Sequence, residues 1–287
     1  DWFDVARDDG RERDVGFHRH WRDPTVPFAD LVLRRTHGAL VTSATLRDRG
    51  REGDDDWKFA EARSGARHLT LPARRASFPS PFDHAGRTRV IVVTDVRRDD
   101  VDQVAAAYRE LFRAAKGGAL GLFTAIWRLR AVHGRLAKAL AADAIALYAQ
   151  HVDPIDTATL VDIFRADVDS CLLGTDAVRD GVDVPGRSLR LIVFDRVPWP
   201  RPDILHRARR EALGGQAYDD MLTRLRLKQA YGRLLRRADD KGVFVVLDPM
   251  LPSRLLSAFP AEVEVRRLGL AQAVAETRAF LSPRESH

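Results

Sequence analysis

Polar and apolar positions follow two different rhythms along this chain of 287 residues. Residues 1–37 are mostly polar and charged, and an apolar run at 40–46 is soon followed by the acidic residues 54–56. This first part is predicted to form a loop, a strand and a second loop. From Arg89 onward, short apolar runs alternate with stretches in which apolar residues recur at helical spacing.

The second rhythm is clearest just after Arg89. Residues 90–93 are all β-branched, as expected of a strand that is buried on both faces. Apolar residues then recur between Val104 and Ala115 at the spacing of one helix face, and Gly117 with Gly118 ends the stripe. The remaining predicted elements are strands at 120–123, 145–148, 171–173, 189–194 and 243–247, and helices at 126–140 and 157–164.

Strands and helices that alternate with short connections indicate an α/β fold, built as a doubly wound parallel sheet with helices on both faces. In such a sheet, ligands bind at the carboxyl ends of the strands. The chemistry of this chain is therefore expected in the loops that follow the strands.

Composition narrows the class of protein. No apolar run approaches the roughly 20 residues that cross a bilayer, which argues against a membrane role. Cys171 is the only cysteine, so this chain cannot build a disulfide, a Cys-based zinc site or an iron–sulfur cluster, and a bacterial cytoplasm is expected. A net charge of +6, carried mostly by Arg, favours a polyanionic partner. Because the chain starts at Asp1 without a signal peptide, it is expected to be a piece of a longer protein.

The most informative segment is residues 229–237, Gln-Ala-Tyr-Gly-Arg-Leu-Leu-Arg-Arg, within a predicted long helix. Four positions there are three, four and seven residues apart and would share one helix face: Gln229, Gly232, Arg233 and Arg236. Such a face offers an amide, two guanidiniums and a glycine gap to a triphosphate. An arginine aimed at the transferred phosphoryl group stabilises charge in the transition state. The alternative is a solvated basic helix face.

Two further segments carry candidate chemistry. Residues 174–186 are predicted to form a loop between two strands, where glycines expose backbone amides and Asp183 offers an acceptor. An ordinary turn is the alternative. Thr42, Ser43 and Thr45 lie at the end of the predicted strand at 40–46, where their hydroxyls could relay hydrogen bonds between sites. Hydroxyl residues are also common at strand ends without any function.

The order of these segments resembles the second half of superfamily 2 helicases, specifically the DinG and XPD family of DNA helicases, over nearly the whole chain. Residues 42–46 look like motif III, 78–83 are similar to the opening of the second motor domain, 118–124 look like motif IV, 174–186 resemble motif V, 198–200 its sequel, and 229–236 motif VI. The resemblance implies a RecA-like fold, that of the second motor domain.

The resemblance also implies a site for ATP in the cleft between two RecA-like domains. Gln229, Arg233 and Arg236 would face the nucleotide, with Arg236 on the γ-phosphate. Lining residues would include Gly181, Asp183 and Gly232.

Further residues are assigned to DNA and to coupling. Thr42, Ser43 and Thr45 would couple ATP turnover to DNA movement. Thr124 and Thr175 would contact the backbone of single-stranded DNA, although both could simply be threonines at strand ends.

Departures from the family pattern are equally informative. Val178, Arg179 and Asp180 stand where the family shows an aromatic pair and a Glu, so packing or DNA contact there is expected to differ. No Gly-Lys-Thr, Gly-Lys-Ser or Asp-Glu-Ala-His sequence occurs. ATP and Mg²⁺ are therefore expected to be held mainly by an absent first domain, which is also the one place for an iron–sulfur cluster. His18 and His20 are expected to be surface residues, with no metal bound.

The resulting hypothesis is the C-terminal motor domain of an ATP-dependent DNA helicase, moving 5′ to 3′ and serving DNA repair. Residues 1–48 would be the tail of the first motor domain, and 49–287 the second RecA-like domain. Its partners would be single-stranded DNA and the N-terminal RecA-like domain of the same protein, and the isolated chain should be inactive. Alternatives are a non-motor nucleic-acid-binding adaptor and another α/β enzyme that binds phosphate.

Overall fold

The computed structural model describes residues 1–48, 57–181 and 183–282. The chain divides into two compact units, one formed by Asp1–Ser77 with Pro200–Leu222 and the other by Phe78–Trp199 with Thr223–His287. The second unit thus begins at Phe78, where the segment that resembles the opening of a second motor domain also begins. The predicted boundary after residue 48 adjoins residues 49–56, which lie outside the described residues, and it stays a prediction.

Within the described residues, the strands in chain order are β1 (Trp2–Asp8), β2 (Arg11–His18), β3 (Thr88–Val93), β4 (Ala119–Leu122), β5 (Leu147–Ala149), β6 (Cys171–Gly174), β7 (Leu191–Phe194), β8 (Gly242–Val246) and β9 (Val265–Leu268). The α-helices there are α1 (Thr25–Leu31), α2 (Lys58–Ser64), α3 (His84–Arg87), α4 (Val101–Ala115), α5 (Ile126–Ala142), α6 (Thr157–Ala166), α7 (Asp176–Gly181), α8 (Ile204–Ala212), α9 (Gln216–Tyr231) and α10 (Leu270–Leu281).

The first unit contains an antiparallel hairpin where the sequence predicts a loop. Strands β1 and β2 are joined at Asp9 and Gly10, which both have positive φ, 49° and 77°. An Asp-Gly pair suits the tight two-residue turn of a hairpin, because both of its residues tolerate the left-handed region. The loop prediction for residues 1–37 is wrong because it weighed polarity and not this turn signal.

The predicted strand at residues 40–46 is also wrong. These residues are irregular and turn at 44–45. The Ser43 hydroxyl oxygen accepts the Thr45 backbone N–H at 3.1 Å, and the Ser43 carbonyl accepts that of Leu46 at 3.4 Å. Local hydrogen bonds of this kind compete with a strand ladder, and serine favours them.

The second unit is built on a parallel sheet of seven strands in the order β5-β6-β4-β7-β8-β3-β9. All residues of β4, β6, β7 and β8 are buried, including Cys171 at the start of β6. One core cluster joins the sheet to α4, α5 and α10, and a second joins it to α6 and α9. The predicted doubly wound, RecA-like sheet with helices on both faces is confirmed.

Most of the predicted elements of this unit are present with shifted ends. The edge strand β9 and helix α10 were not predicted, since Val-Arg-Arg-Leu carries no apolar run. Aspartates cap α4, α6 and α8 through their carboxylates. Helix α5 differs, because Ala125 precedes it and no acidic residue lies in its first turn.

Candidate functional site

The carboxyl ends of the parallel strands bring several predicted and unpredicted residues to one edge of the sheet. Thr124 follows β4, Thr175 follows β6, Asp195 follows β7 and Asp248 follows β8. Binding sites of open α/β sheets form at this edge. The structure thus places both candidate DNA-binding threonines where ligands of this fold class bind.

A buried ion pair holds the loop between β4 and α5. The Arg128 Nε lies 2.6 Å from an Asp195 carboxylate oxygen, and the two side chains are 2% and 0% exposed. The other Asp195 oxygen accepts the Thr124 backbone N–H at 3.1 Å, and Arg128 Nη2 donates to the Arg98 carbonyl at 2.9 Å. Burial raises the pKa of Asp195, and the Arg128 guanidinium opposes that rise. Sequence reasoning missed this pair, although an Arg within a predicted helix and an Asp directly after a strand were visible signals.

Thr175 is tied to the protein rather than left free at the edge. Its backbone N–H and its hydroxyl both donate to the side-chain oxygen of Gln150, at 3.0 and 2.9 Å. The Gln150 amide nitrogen in turn donates to the Thr157 hydroxyl at 3.1 Å. The Thr175 hydroxyl therefore keeps its lone pairs as acceptors, and its role in DNA binding stays a prediction.

The arginine segment departs from the predicted helix. Helix α9 ends at Tyr231, so Gln229 is helical while Gly232 and Arg233 lie in turns and Arg236 lies in a bend. The prediction that these four residues share one helix face is wrong.

Two features explain why the helix stops. The Asp240 carboxylate accepts the backbone N–H groups of Arg236 and Arg237, at 2.8 and 2.7 Å, and so competes with helical hydrogen bonds. The adjacent Leu234 and Leu235 are both buried. Neither feature is encoded in the spacing of the arginines.

The structure nevertheless joins this segment to the second candidate segment. The Arg236 Nε lies 3.1 Å from an Asp183 carboxylate oxygen, and the Arg236 side chain is 35% exposed. Arg165 donates to the Asp183 carbonyl from Nε and Nη2, at 3.1 and 3.0 Å. Asp183 and Arg236 are 53 residues apart in the chain (236 minus 183), so only the fold brings them together.

Gly186 and Arg237 border a cavity of about 450 Å³, which neither Arg236 nor Asp183 lines. Gly186 has a φ of 76°, and among the described residues a Cβ there would meet only Arg237 Nη1, at 3.9 Å. Arg187 and Lys241 line the same cavity, together with Asp239. Guanidiniums next to open, glycine-lined space suit an anionic phosphate group, since charge-assisted hydrogen bonds to arginine are strong and directional.

The predicted loop at 174–186 contains helix α7 and a 3₁₀ turn at Gly186–Ser188. Val178 is part of the core, and Arg179 is buried with its guanidinium 2.7 Å from Asp176. Arg179 thus fills a packing position. Gly181 ends α7, whereas Val182 and the Asp180 side chain lie outside the described residues.

The three motif III candidates lie together in the first unit. The hydroxyls of Ser43 and Thr45 are 3.2 Å apart, Thr42 precedes them, and Thr42 and Ser43 are exposed. Their role in coupling stays a prediction, as do the roles of the other candidate site residues.

A hydrogen-bonded group near the arginine segment was not predicted. The Tyr231 hydroxyl lies 2.7 Å from the Thr88 hydroxyl and 3.3 Å from His84 Nδ1. Burial raises the pKa of Tyr231 to about 12. This group anchors the last residue of α9 to the start of β3, and in the sequence its signal is limited to a tyrosine directly before Gly232.

Metal-binding clusters and membrane-spanning helices are both absent from the described parts of the chain. No group of three or more His, Cys, Asp or Glu side chains there could hold a metal ion. No helix in those parts is long and apolar enough to cross a membrane.

Comparison with known proteins identifies the fold. The helicase C-terminal domain family matches residues 108–265. A solved XPD helicase superposes with a TM-score of 0.50 at 16% identity, covering 63% of this chain and 35% of that one. At this identity the structural likeness supports the fold alone.

Curated relatives add sequence similarity. An ATP-dependent helicase DinG from Mycobacterium tuberculosis is 36% identical over 234 residues, covering 77% of this chain and 33% of the relative. A 3′-5′ exonuclease DinG from Bacillus subtilis is 30% identical over 253 residues, covering 83% of this chain and 26% of the relative. The chain thus spans about a third or less of the length of these relatives. With more than half of its residues matched, the chain belongs to the helicase C-terminal domain family.

Proposed function

We propose that this chain is the second motor domain of an enzyme that hydrolyses ATP to move 5′ to 3′ along single-stranded DNA. The family membership and the match to about a third of a DinG relative support this reading. The other motor domain would supply the groups that grip the β- and γ-phosphates and Mg²⁺, and any iron–sulfur cluster would belong there.

The arginine segment would provide the charge that stabilises phosphoryl transfer. The observation that carries this proposal is the Arg236–Asp183 ion pair, which joins the two predicted nucleotide segments at 3.1 Å. Asp183 would hold the guanidinium ready before nucleotide binds, so that less side-chain freedom is lost on binding. Arg236 would meet the γ-phosphate, and Arg233 and Gln229 would lie beside it. Hydrolysis of ATP would supply the free energy, with positioning and electrostatics as the catalytic contributions.

Nucleic acid would bind at the carboxyl edge of the sheet. Thr124 and Thr175 would contact the phosphate backbone there. The hydroxyls of Thr42, Ser43 and Thr45 would couple nucleotide turnover to movement along the strand.

The test uses the full-length protein and replaces Arg236 with Ala. DNA-stimulated ATP hydrolysis should fall about 10³-fold or more, as it does when an arginine finger is removed, while single-stranded DNA binding should stay within about two-fold. Arg113→Ala is the matched control, since Arg113 is also 35% exposed and also paired with an aspartate, but lies on α4. Equal turnover in the two variants would remove Arg236 from the site.

A second measurement tests whether ATP hydrolysis requires the other motor domain. The 287-residue chain alone should hydrolyse ATP negligibly with or without DNA. DNA-stimulated hydrolysis by this chain would overturn the two-domain proposal. Binding of DNA by a full-length protein that does not hydrolyse ATP would favour the adaptor alternative.

A further inference from the structure

An exposed tryptophan stands at the carboxyl edge of the sheet without an assigned role. Trp127 is 61% exposed in the first turn of α5, three residues after Thr124. Its neighbour Ile126 is also exposed. Aromatic rings are enriched on protein surfaces where partners bind.

The residue that follows Trp127 is held firmly by the protein. Arg128, the next residue, is buried and anchored by Asp195 and by the Arg98 carbonyl. The Arg128 guanidinium carbon lies 5.6 Å from the centroid of the Trp127 ring. Because the backbone of the first turn is fixed by this buried pair, little conformational freedom remains to be lost when a ligand meets the ring.

The groups around the ring are suited to a nucleotide. Ala125 provides no side-chain cap, and within the described part of the chain the first turn of α5 carries no carboxylate. The Arg128 Nη1 is buried and has no hydrogen-bond partner among the described residues. Arg130 lies in the second turn of α5, three residues after Trp127, and donates to the His151 carbonyl at 3.0 Å. An exposed aromatic face beside the exposed Arg130 and a helix amino terminus matches a base together with its phosphate.

We propose that Trp127 is a stacking platform for one base of single-stranded nucleic acid. The proposal rests on the proposed function, because it assumes that single-stranded nucleic acid runs along the carboxyl edge of the sheet. The base lies against the exposed ring face, and Thr124 contacts the adjoining backbone. Stacking is tolerant of sequence because every base offers a π-face, so the platform suits a motor that moves along any sequence.

The test compares Trp127→Ala and Trp127→Phe with the unaltered 287-residue chain. Affinity for a dye-labelled oligothymidylate is measured by fluorescence anisotropy. Loss of one base stack is worth about 1–3 kcal/mol, so Trp127→Ala should weaken binding about 5- to 150-fold, and Trp127→Phe should recover most of it. Trp21→Ala is the matched control, since Trp21 is 62% exposed but lies in the first unit, and it should bind as the unaltered chain does.

An oligonucleotide with abasic sugars separates stacking from charge. The unaltered chain should bind it about as weakly as Trp127→Ala binds the normal strand, and Trp127→Ala should lose nothing further. The salt dependence of binding should be equal in both proteins, because the phosphate contacts are kept.

The outcomes distinguish failure of the nucleic-acid path from failure of the stacking platform alone. If the unaltered chain and full-length protein bind no oligonucleotide, both the nucleic-acid path and the platform fail. If they bind it and Trp127→Ala binds equally well, only the platform fails. Equal loss by Trp127→Ala on normal and abasic strands would also overturn stacking. Circular dichroism and urea unfolding of each variant confirm that the fold is intact.

Discussion

Replacing Asp195 with Asn tests the buried ion pair that holds the β4–α5 loop. The change keeps the shape of the side chain and removes its charge. Arg128, which is 2% exposed, would then keep a buried positive charge without its partner at 2.6 Å. The Arg128 guanidinium and the Thr124 backbone N–H each donate to one oxygen of the Asp195 carboxylate. An Asn side chain has only one oxygen, so its NH₂ group would have to face one of these two donors.

The magnitude follows from burial. Removal of one partner of a buried pair costs about 3–5 kcal/mol, because the remaining charge is left desolvated. The Arg113–Asp143 pair has the same separation of 2.6 Å, but both side chains are 35% exposed. Exposed pairs are worth about 0–1 kcal/mol. Asp143→Asn is therefore a control matched in distance and chemistry that differs in burial.

The assay is urea unfolding of the unaltered chain and its variants, with hydrogen exchange of the amides in β4 and β7 as a measurement local to the second unit. Asp195→Asn should lower the free energy of unfolding by about 3–5 kcal/mol and Asp143→Asn by less than about 1 kcal/mol. Adding Arg128→Met to Asp195→Asn should recover part of the loss, since the uncompensated charge is then gone. Equal losses for the two single variants, or no recovery in the double variant, would refute the reasoning.

Two other predictions concern stability. The pKa of Tyr231 is raised to about 12 from an ordinary value near 10, so the tyrosine ionises at lower pH in the unfolded chain than in the folded one. About 3 kcal/mol of folding stability should therefore be lost as pH rises from 10 to 12, and Tyr231→Phe should not show this loss. Urea unfolding at a series of pH values measures it, and parallel profiles for the two proteins would contradict the prediction. A Cβ at Gly174 would lie 2.5 Å from side-chain atoms of Val178, so Gly174→Ala should destabilise the fold by about 1–3 kcal/mol. Gly134 on α5 faces open space, so Gly134→Ala should stabilise the fold by up to about 1 kcal/mol. Thermal melts that rank the two variants otherwise would refute the packing argument.

The sheet could be predicted because several of its strands are uninterrupted runs of apolar residues. Residues 90–93 and 243–247 contain almost nothing but β-branched and aromatic side chains, which suits a strand covered on both faces. The hairpin was predictable from Asp9 and Gly10 but was missed, since the surrounding charge dominated the interpretation. Polarity indicates exposure, whereas the turn residues determine the backbone path.

The candidate site was less predictable, because its geometry depends on distant residues. The end of α9 is set by Asp240, which takes the backbone N–H groups of Arg236 and Arg237. Arg236 and Asp183 come into contact although β7, α8 and α9 lie between them in the sequence. The motifs locate the candidate residues in the sequence, and the fold determines which of them come into contact.

The burial of Cys171 in β6 has a practical consequence. This thiol is the only one in the chain, it is fully buried in the core, and burial raises its pKa, so the reactive thiolate is scarce in the folded protein. Cysteines introduced on the surface can therefore carry fluorescent dyes or spin labels without first removing the native one. The native thiol itself becomes available to alkylating reagents when the packing of the sheet against its covering helices opens, and its modification then reports that opening.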